Sequence, residues 1–332
     1  MSQPLVEVRD LTVAFTGRDA TVSAVNGVSF NVMPGEVLCL IGESGSGKSV
    51  TMRALMGLLP KRRARIGGYL RVAEHEILTL GERRLAELRG SLMSMIFQEP
   101  MTALDPVYTI GDQIAEAVQR HAHATRQAAS ARALELLQLV KVPSPEQRLK
   151  AYPHELSGGM RQRAMIAIAL ACQPALLLAD EPTTALDATV QIQVLILLRK
   201  LQQEFGMGLI FVTHDLGVAA QIADRIAVMY AGRIVEEGNA RDVLLNPRHP
   251  YTMGMLASTL HGRVRGSDIE AISGSPPDMR ALPAGCSFAP RCRFAAADCR
   301  AAMPSQTAVA PGHDVACLRV DEILPSAQLA VS

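Results

Sequence analysis

The chain has 332 residues, of which 48% are hydrophobic, and its formal net charge at pH 7 is +1. This length exceeds one average domain, and the hydrophobic content suffices for a substantial core. The near-neutral charge argues against a nucleic-acid partner, because proteins of that class normally carry a basic domain or face.

The first predicted elements are strands at 5–15, 28–32 and 37–41. A glycine-rich loop separates the third strand from a segment with helical spacing of apolar residues that begins at Val50. The loop consists of Gly42, Glu43, Ser44, Gly45, Ser46, Gly47, Lys48 and Ser49. Such a loop directs backbone N–H groups toward phosphate at a helix N-terminus, so the sequence predicts an ATP or GTP site.

Two side chains of this loop have the chemistry that a bound nucleotide needs. Lys48 is expected to bind the β- and γ-phosphates, and the Ser49 hydroxyl is expected to coordinate Mg²⁺. The alternative is a glycine-rich turn with a surface lysine. A basic cluster at 61–65 follows; it is interpreted as a solvated turn, with weak contact to anionic lipid as the alternative.

The region 98–156 has mostly helical periodicity, and the apolar strand 175–179 follows it. This strand ends in Asp180 and Glu181, at the carboxyl edge where a parallel sheet would place them facing the phosphates. Asp180 is suited to bind Mg²⁺, and Glu181 is suited to polarise the attacking water. The alternative is an acidic strand end that caps a helix. Further strands at 209–212 and 225–229 predict an α/β fold with a doubly wound sheet.

The segment 156–163 reads Leu-Ser-Gly-Gly-Met-Arg-Gln-Arg, which is the signature sequence of the ATP-binding cassette (ABC) family. Gln98, the segment 184–187 and His214 match other motifs of that family in the expected order, and the resemblance covers residues 1–245. It implies a P-loop NTPase cassette with a RecA-like mixed sheet. It also implies a helical subdomain at about 98–160 that docks onto membrane subunits.

The resemblance implies that two cassettes pack head to tail and enclose two ATP molecules. A serine and two glycines at the start of a helix form a second anion-binding site, in addition to the phosphate loop of the same chain. This second site suits the γ-phosphate of the ATP that the other cassette binds. By resemblance, Gln98 senses Mg²⁺ and the attacking water, Asp187 links the two sites, and His214 hydrogen-bonds the γ-phosphate. The residues assigned to the second cassette's ATP are Ser157, Gly158 and Gly159.

Phe15 stands at roughly the position where the family stacks an aromatic side chain on adenine. The length of the segment between Phe15 and the loop would also allow Val22 or Arg18 to lie near the adenine base. A third alternative is that Phe15 is an ordinary core residue.

The segment 246–252 resembles the sequence that follows the cassette in importers of dipeptides, oligopeptides and nickel. The resemblance implies an ATPase subunit that drives such import. Its implied partners are two membrane-spanning permease subunits and a second, paralogous ATPase. A periplasmic or extracellular substrate-binding protein is implied as an indirect partner. A soluble ABC ATPase acting on nucleic acid or ribosomes is the alternative. No stretch approaches 18 apolar residues, so we expect a peripheral location on the cytoplasmic face of the membrane.

The C-terminal extension, 246–332, contains four cysteines: Cys286, Cys292, Cys299 and Cys317. In a cytoplasmic protein they are better explained as metal ligands than as disulfides, and four thiolates suit zinc or an iron–sulfur cluster. The extension resembles the tail of peptide-importer ATPases, some of which hold a 4Fe–4S cluster. The cluster is therefore favoured, with zinc and four unrelated thiols as alternatives. His313 is a further ligand candidate, whereas Cys39 and Cys172 are expected in the core.

Overall fold

The computed structural model describes residues 3–17, 20–184, 186–258 and 272–323. The strands are β1 (Val6–Thr16), β2 (Thr21–Val32), β3 (Val37–Ile41), β4 (Ala64–Val72), β5 (His75–Glu76), β6 (Met93–Ile96), β7 (Leu176–Asp180), β8 (Gly208–Thr213), β9 (Arg225–Tyr230), β10 (Arg233–Asn239), β11 (Thr307–Ala310) and β12 (His313–Val315). The α-helices are α1 (Lys48–Leu55), α2 (Glu82–Leu88), α3 (Pro100–Ala103), α4 (Ile110–Ala122), α5 (Arg126–Leu139), α6 (Pro145–Arg148), α7 (Gly158–Ala169), α8 (Ala188–Phe205), α9 (Leu216–Ile222), α10 (Ala240–Leu245), α11 (Pro250–Ser258) and α12 (Ala297–Ala301).

The chain divides into two compact units. The helical unit comprises Met1–Leu5, Val32–Glu36 and Thr79–Phe211, and the phosphate-loop unit comprises Val6–Asn31, Val37–Leu78 and Val212–Ser332.

The phosphate-loop unit contains β3 and β9, which pair in parallel from Leu38 opposite Arg225 to Ile41 opposite Val228. All five residues of β3 are buried, as expected for a parallel strand covered on both faces. Beyond β9 the pairing becomes antiparallel, first with β10, then with β12 and β11. The C-terminal extension therefore adds strands to the same sheet that carries the phosphate loop.

A second sheet of this unit has the strand order β2-β1-β4-β5. β4 pairs antiparallel with β1, and Arg65 lies opposite Ala14. The interpretation of 61–65 as a turn is therefore wrong at its end, because Ala64 and Arg65 belong to a strand.

In the helical unit, β6 and β7 pair in parallel, from Met93 opposite Leu176 to Ile96 opposite Ala179. The predicted helical region contains α4 and α5, which begin after the capping residues Thr109 and Thr125. The predicted α/β class with a mixed sheet is confirmed, because the structure contains parallel strand pairs, antiparallel strand pairs and helices. Within the part of the chain that the structure describes, no helix is both long and apolar enough to cross a membrane.

Candidate functional site

The phosphate loop connects β3 to α1 and places a lysine inside its own turn. Lys48 is the first residue of α1 and is only 5% exposed. Its Nζ donates hydrogen bonds to Gly42 O at 2.6 Å, Glu43 O at 2.9 Å and Ser46 Oγ at 3.3 Å. The cation is thus held at a helix N-terminus, where the backbone also favours negative charge.

Close backbone packing explains two of the loop glycines. A Cβ on Gly42 would lie 2.2 Å from Met229 O, and a Cβ on Gly47 would lie 2.6 Å from Ala24 O. Gly45 is different, because a Cβ there would meet nothing within 4 Å. Its φ of +79° nevertheless favours glycine. The loop shape is therefore fixed by contacts with neighbouring strands.

Gly47 and Gly45 form a matched pair for testing this packing. Both have positive φ, so alanine adds about 1–2 kcal/mol of backbone strain at either position. Gly47→Ala adds a clash with the backbone of β2, for which overpacking data suggest a further loss of about 1–3 kcal/mol. We expect urea denaturation to show the larger loss of unfolding free energy for Gly47→Ala, together with loss of ATP binding. Equal losses in the two variants would contradict the packing explanation.

The acidic end of β7 lies in the helical unit. Asp180 is 4% exposed, and Glu181 follows with φ +46°, an uncommon conformation that is often found at functional sites. Gln98 Nε2 donates to Glu181 Oε2 at 3.3 Å, and Thr184 Oγ1 donates to the same oxygen at 3.0 Å. The structure thus brings together Gln98 and Glu181. Thr184 was not predicted as a partner of Glu181, although it stands three residues after it in the sequence.

The signature segment opens helix α7. Ser157 is exposed and accepts a hydrogen bond from Met160 N at 3.4 Å, which makes it the N-cap. A Cβ on Gly159 would lie 2.9 Å from Val190 Cγ1 of α8. Asp187 caps α8 by accepting from Val190 N at 3.0 Å. The starts of α7 and α8 therefore lie together, and an exposed helix N-terminus of this kind suits an anion.

The remaining nucleotide-site candidates are in the phosphate-loop unit. His214 is exposed between β8 and α9, and Asp215 caps α9 by accepting from Gly217 N at 2.7 Å. Phe15 is half-buried in β1 opposite Ala64, so its role at adenine stays a prediction. Val22 is likewise half-buried, and Arg18 lies outside the described residues.

The four cysteines of the extension line one cavity, together with Phe288, Phe294 and His249. Burial raises the pKa of Cys286 and Cys292, and it raises the pKa of Cys317 to about 11. Four thiols are the donor set that a tetrahedral zinc ion or an iron–sulfur cluster takes, and here they share one cavity. Among the described residues, no cluster of three or more His, Cys, Asp or Glu side chains meets the requirements of a metal ion.

Of the two histidines near the cysteines, His249 and not the predicted candidate His313 lines the cavity. His313 is not among the residues that line the cavity, and its Nε2 lies 2.8 Å from Glu236 Oε1. His249 lines the cavity instead and was missed from the sequence, because it stands well before the cysteines. Burial lowers the pKa of His249 to about 4. Of the other cysteines, Cys39 is fully buried in β3, and Cys172 is half-buried with its thiol 3.7 Å from Ala117 O.

The extension also contacts the phosphate loop through Arg291 and Tyr251. Arg291 forms an ion pair with Glu43 at 2.8 Å, and the Tyr251 hydroxyl accepts a hydrogen bond from Glu43 N at 2.8 Å. Burial disfavours the charged form of Arg291, but its hydrogen bonds to Glu43 and Tyr230 raise its pKa overall. Burial also raises the pKa of Tyr251. These contacts had no signal in the sequence.

Comparison with known protein families gives two matches along the chain. Residues 25–184 match the family described as "ABC transporter", and residues 235–299 match the family described as "Oligopeptide/dipeptide transporter, C-terminal region".

Relatives and a solved structure extend these matches. The chain is 50% identical to the "Probable peptide ABC transporter ATP-binding protein y4tR" of Sinorhizobium fredii, over 96% of each chain. It is 49% identical to the "Oligopeptide transport ATP-binding protein OppD" of Salmonella typhimurium, over 96% of this chain and 95% of the relative. A dimeric post-hydrolysis structure of the ATP-binding cassette MJ0796 with ADP and Pi superposes with a TM-score of 0.64 at 28% identity. That match covers 71% of this chain and 99% of the other.

Proposed function

The chain belongs to the ABC transporter family of ATPases, and we propose that it is the ATP-hydrolysing subunit of an importer for dipeptides and oligopeptides. The observation that carries this proposal is the match of residues 235–299 to the C-terminal region of oligopeptide and dipeptide transporters. The relatives from Sinorhizobium and Salmonella, which align over nearly their whole length, are named for peptide transport. A nickel chelate is the alternative cargo. Action on nucleic acid or ribosomes is not favoured, because the relatives are transport proteins and the net charge is +1.

We assign two functional parts to the chain, a cassette at 1–245 and an extension at 246–332. In the cassette, Lys48 and the loop N–H groups hold the β- and γ-phosphates, and His214 hydrogen-bonds the γ-phosphate. Glu181 accepts the proton of the attacking water. Support for this last role comes from the two hydrogen bonds that orient the Glu181 carboxylate, donated by Gln98 and Thr184.

The chain offers oxygen ligands of the kind that Mg²⁺ prefers. Ser49, Gln98 and Asp180 would hold the ion, which when bound supplies positive charge opposite the β- and γ-phosphates. Phe15 would stack on adenine, with Val50 at the start of α1 near the nucleotide. These assignments follow the motif positions of the family.

The exposed start of α7 supports a partner cassette. Ser157, Gly158 and Gly159 would contact the γ-phosphate bound by a second ATPase, which we propose is a paralogue, and Asp187 would link the two sites. The solved relative MJ0796 is a dimer with ADP and Pi.

Exposed apolar side chains in the helical unit support docking onto permease subunits. Met101 is 54% exposed, Val107 71% and Tyr108 56%, within the proposed helical subdomain at about 98–160. Exposed apolar groups that recur within a short segment favour a protein interface. We propose that this segment contacts two membrane-spanning subunits, which receive cargo from a periplasmic or extracellular binding protein. The chain would then lie peripherally on the cytoplasmic face of the membrane.

Uptake of labelled peptide by intact cells tests the cargo. Cells that carry Glu181→Gln in place of the wild-type chain should lose uptake of a labelled dipeptide or oligopeptide and keep uptake of an unrelated amino acid. Normal peptide uptake with lost nickel uptake would contradict the peptide assignment and support the nickel alternative.

For the extension, we propose that Cys286, Cys292, Cys299 and Cys317 bind a 4Fe–4S cluster. Four thiols around one cavity support this proposal. The sulfurs around one zinc ion lie only about 3.8 Å apart, given a Zn–S distance of about 2.3 Å. A cluster spaces its thiolates more widely, since four irons lie between them. Ligand spacing therefore distinguishes the two kinds of site, and the resemblance of the extension to the tail of peptide-importer ATPases is what favours the cluster here.

A further inference from the structure

Arg291 of the extension binds the side chain of Glu43 in the phosphate loop. Two guanidinium nitrogens donate to the carboxylate, Nη1 to Oε2 at 2.8 Å and Nη2 to Oε1 at 3.1 Å. This bidentate geometry is typical of strong arginine–carboxylate pairs. The Arg291 side chain is 6% exposed and that of Glu43 is 28% exposed. Water therefore screens this pair much less than it screens a surface ion pair.

The extension also holds the backbone of Glu43. The Tyr251 hydroxyl accepts the Glu43 N–H, and the Tyr251 ring packs at 4.7 Å from Tyr230 and at 5.4 Å from Phe288, measured between ring centroids. Phe288 precedes Arg291 by three residues, so one short segment supplies both the apolar and the ionic contact. Glu43 is thus held at its carboxylate and at its amide by residues that follow the cassette.

Glu43 introduces a negative charge into a loop that must bind a triphosphate. Its backbone oxygen accepts from Lys48 Nζ at 2.9 Å, so Glu43 is adjacent to the cation of the loop. An unneutralised carboxylate at this position would repel the phosphates, since like charges repel and a partly buried carboxylate is screened less than one in bulk water. Arg291 supplies the compensating charge.

We propose that Arg291 is a positioning residue for ATP binding, which neutralises Glu43 and holds its carboxylate, so that ATP affinity depends on a folded C-terminal extension. Because such coupling is reciprocal, bound ATP also stabilises the extension. The proposal goes beyond peptide import, since it concerns ATP binding whatever solute is carried.

A charge-removal series in the full chain tests the proposal, with equilibrium binding of a fluorescent ATP analogue as the readout. Arg291→Met should raise the Kd for the analogue about tenfold, within the usual range of coupling between sites. Adding Glu43→Gln to that variant should bring the Kd back to within about threefold of wild type, because the uncompensated carboxylate is gone. Arg291→Lys keeps the charge but loses the bidentate geometry, so its Kd should lie between those of wild type and Arg291→Met.

Arg293→Met is the matched control. Arg293 is exposed on the same segment, and its guanidinium lies 4.9 Å above the Phe294 ring, so its removal should leave the Kd unchanged. If Arg291 served only as a structural contact, Arg291→Met would have a lower melting temperature and an unchanged Kd. The double variant would then not regain the wild-type melting temperature. An unchanged Kd in Arg291→Met, or a double variant that binds as weakly as the single one, overturns the proposal.

A second variant keeps the test decisive if Arg291→Met does not fold. Glu43→Gln removes the negative charge and leaves the Arg291 cation beside the loop, so by the charge argument it should bind the analogue more tightly than wild type. Weaker binding by Glu43→Gln would overturn the proposal, because the carboxylate would then assist ATP binding.

Discussion

Glu181→Gln is expected to lower ATP turnover by about 10²- to 10⁴-fold, the usual contribution of a general base. The amide keeps the shape of the carboxylate and its ability to accept from Gln98 and Thr184, which lie at 3.3 and 3.0 Å. It cannot accept a proton from water. ATP binding should therefore persist, and the ATP-loaded dimer should accumulate, as measured by steady-state turnover and by size-exclusion chromatography with ATP.

Glu204→Gln is a suitable control for this experiment. Glu204 is exposed near the end of α8 in the same unit, so the same chemical change there should leave turnover close to wild type. Normal turnover in Glu181→Gln would remove Glu181 from the role of base. Loss of ATP binding would instead indicate a structural role for this carboxylate.

Cys292→Ser is expected to remove nearly all iron from the purified protein. A serine hydroxyl is a much poorer ligand for iron than a thiolate, and the other three cysteines then leave one position unfilled. Residues after 285 should exchange amide hydrogens faster, because an irregular segment gains folding free energy from a bound metal group such as the proposed cluster. ATP turnover at saturating ATP should stay close to wild type. Iron and sulfide assays on anaerobically purified protein measure the main effect.

Cys172→Ser controls for the loss of a thiol as such. Cys172 is half-buried in the helical unit, where its thiol lies 3.7 Å from Ala117 O, and a serine keeps a donor at this place. This variant should keep its iron. Full iron content in Cys292→Ser would contradict the four-cysteine site, and zinc in place of iron in the wild type would favour the alternative metal.

The sequence predicted best those parts of the fold that local patterns determine. Strands β3 and β7 are short apolar runs, and the glycine spacing of the loop requires a strand before it and a helix after it. Helices α4 and α5 follow from apolar periodicity. The fold class is therefore confirmed, whereas the catalytic roles stay predictions, because they depend on where a nucleotide lies.

Contacts between distant segments had no local signal. Arg291 and Glu43 are separated by 248 positions, and neither residue type indicates the other. Strands β11 and β12 are short and only partly buried, so their periodicity is weak, yet β12 gains its position by pairing with β10. Strand β4 was not recognised in the sequence, because the basic residues before Gly67 interrupt the apolar alternation that indicates a strand.

Affinity purification of the tagged chain from its native membrane under anaerobic conditions, with its partners identified, tests whether this ATPase belongs to a peptide importer. We expect recovery of two membrane-spanning subunits and a second ATPase, with about four irons per chain. Recovery of ribosomes or nucleic acid without membrane proteins would contradict the importer assignment.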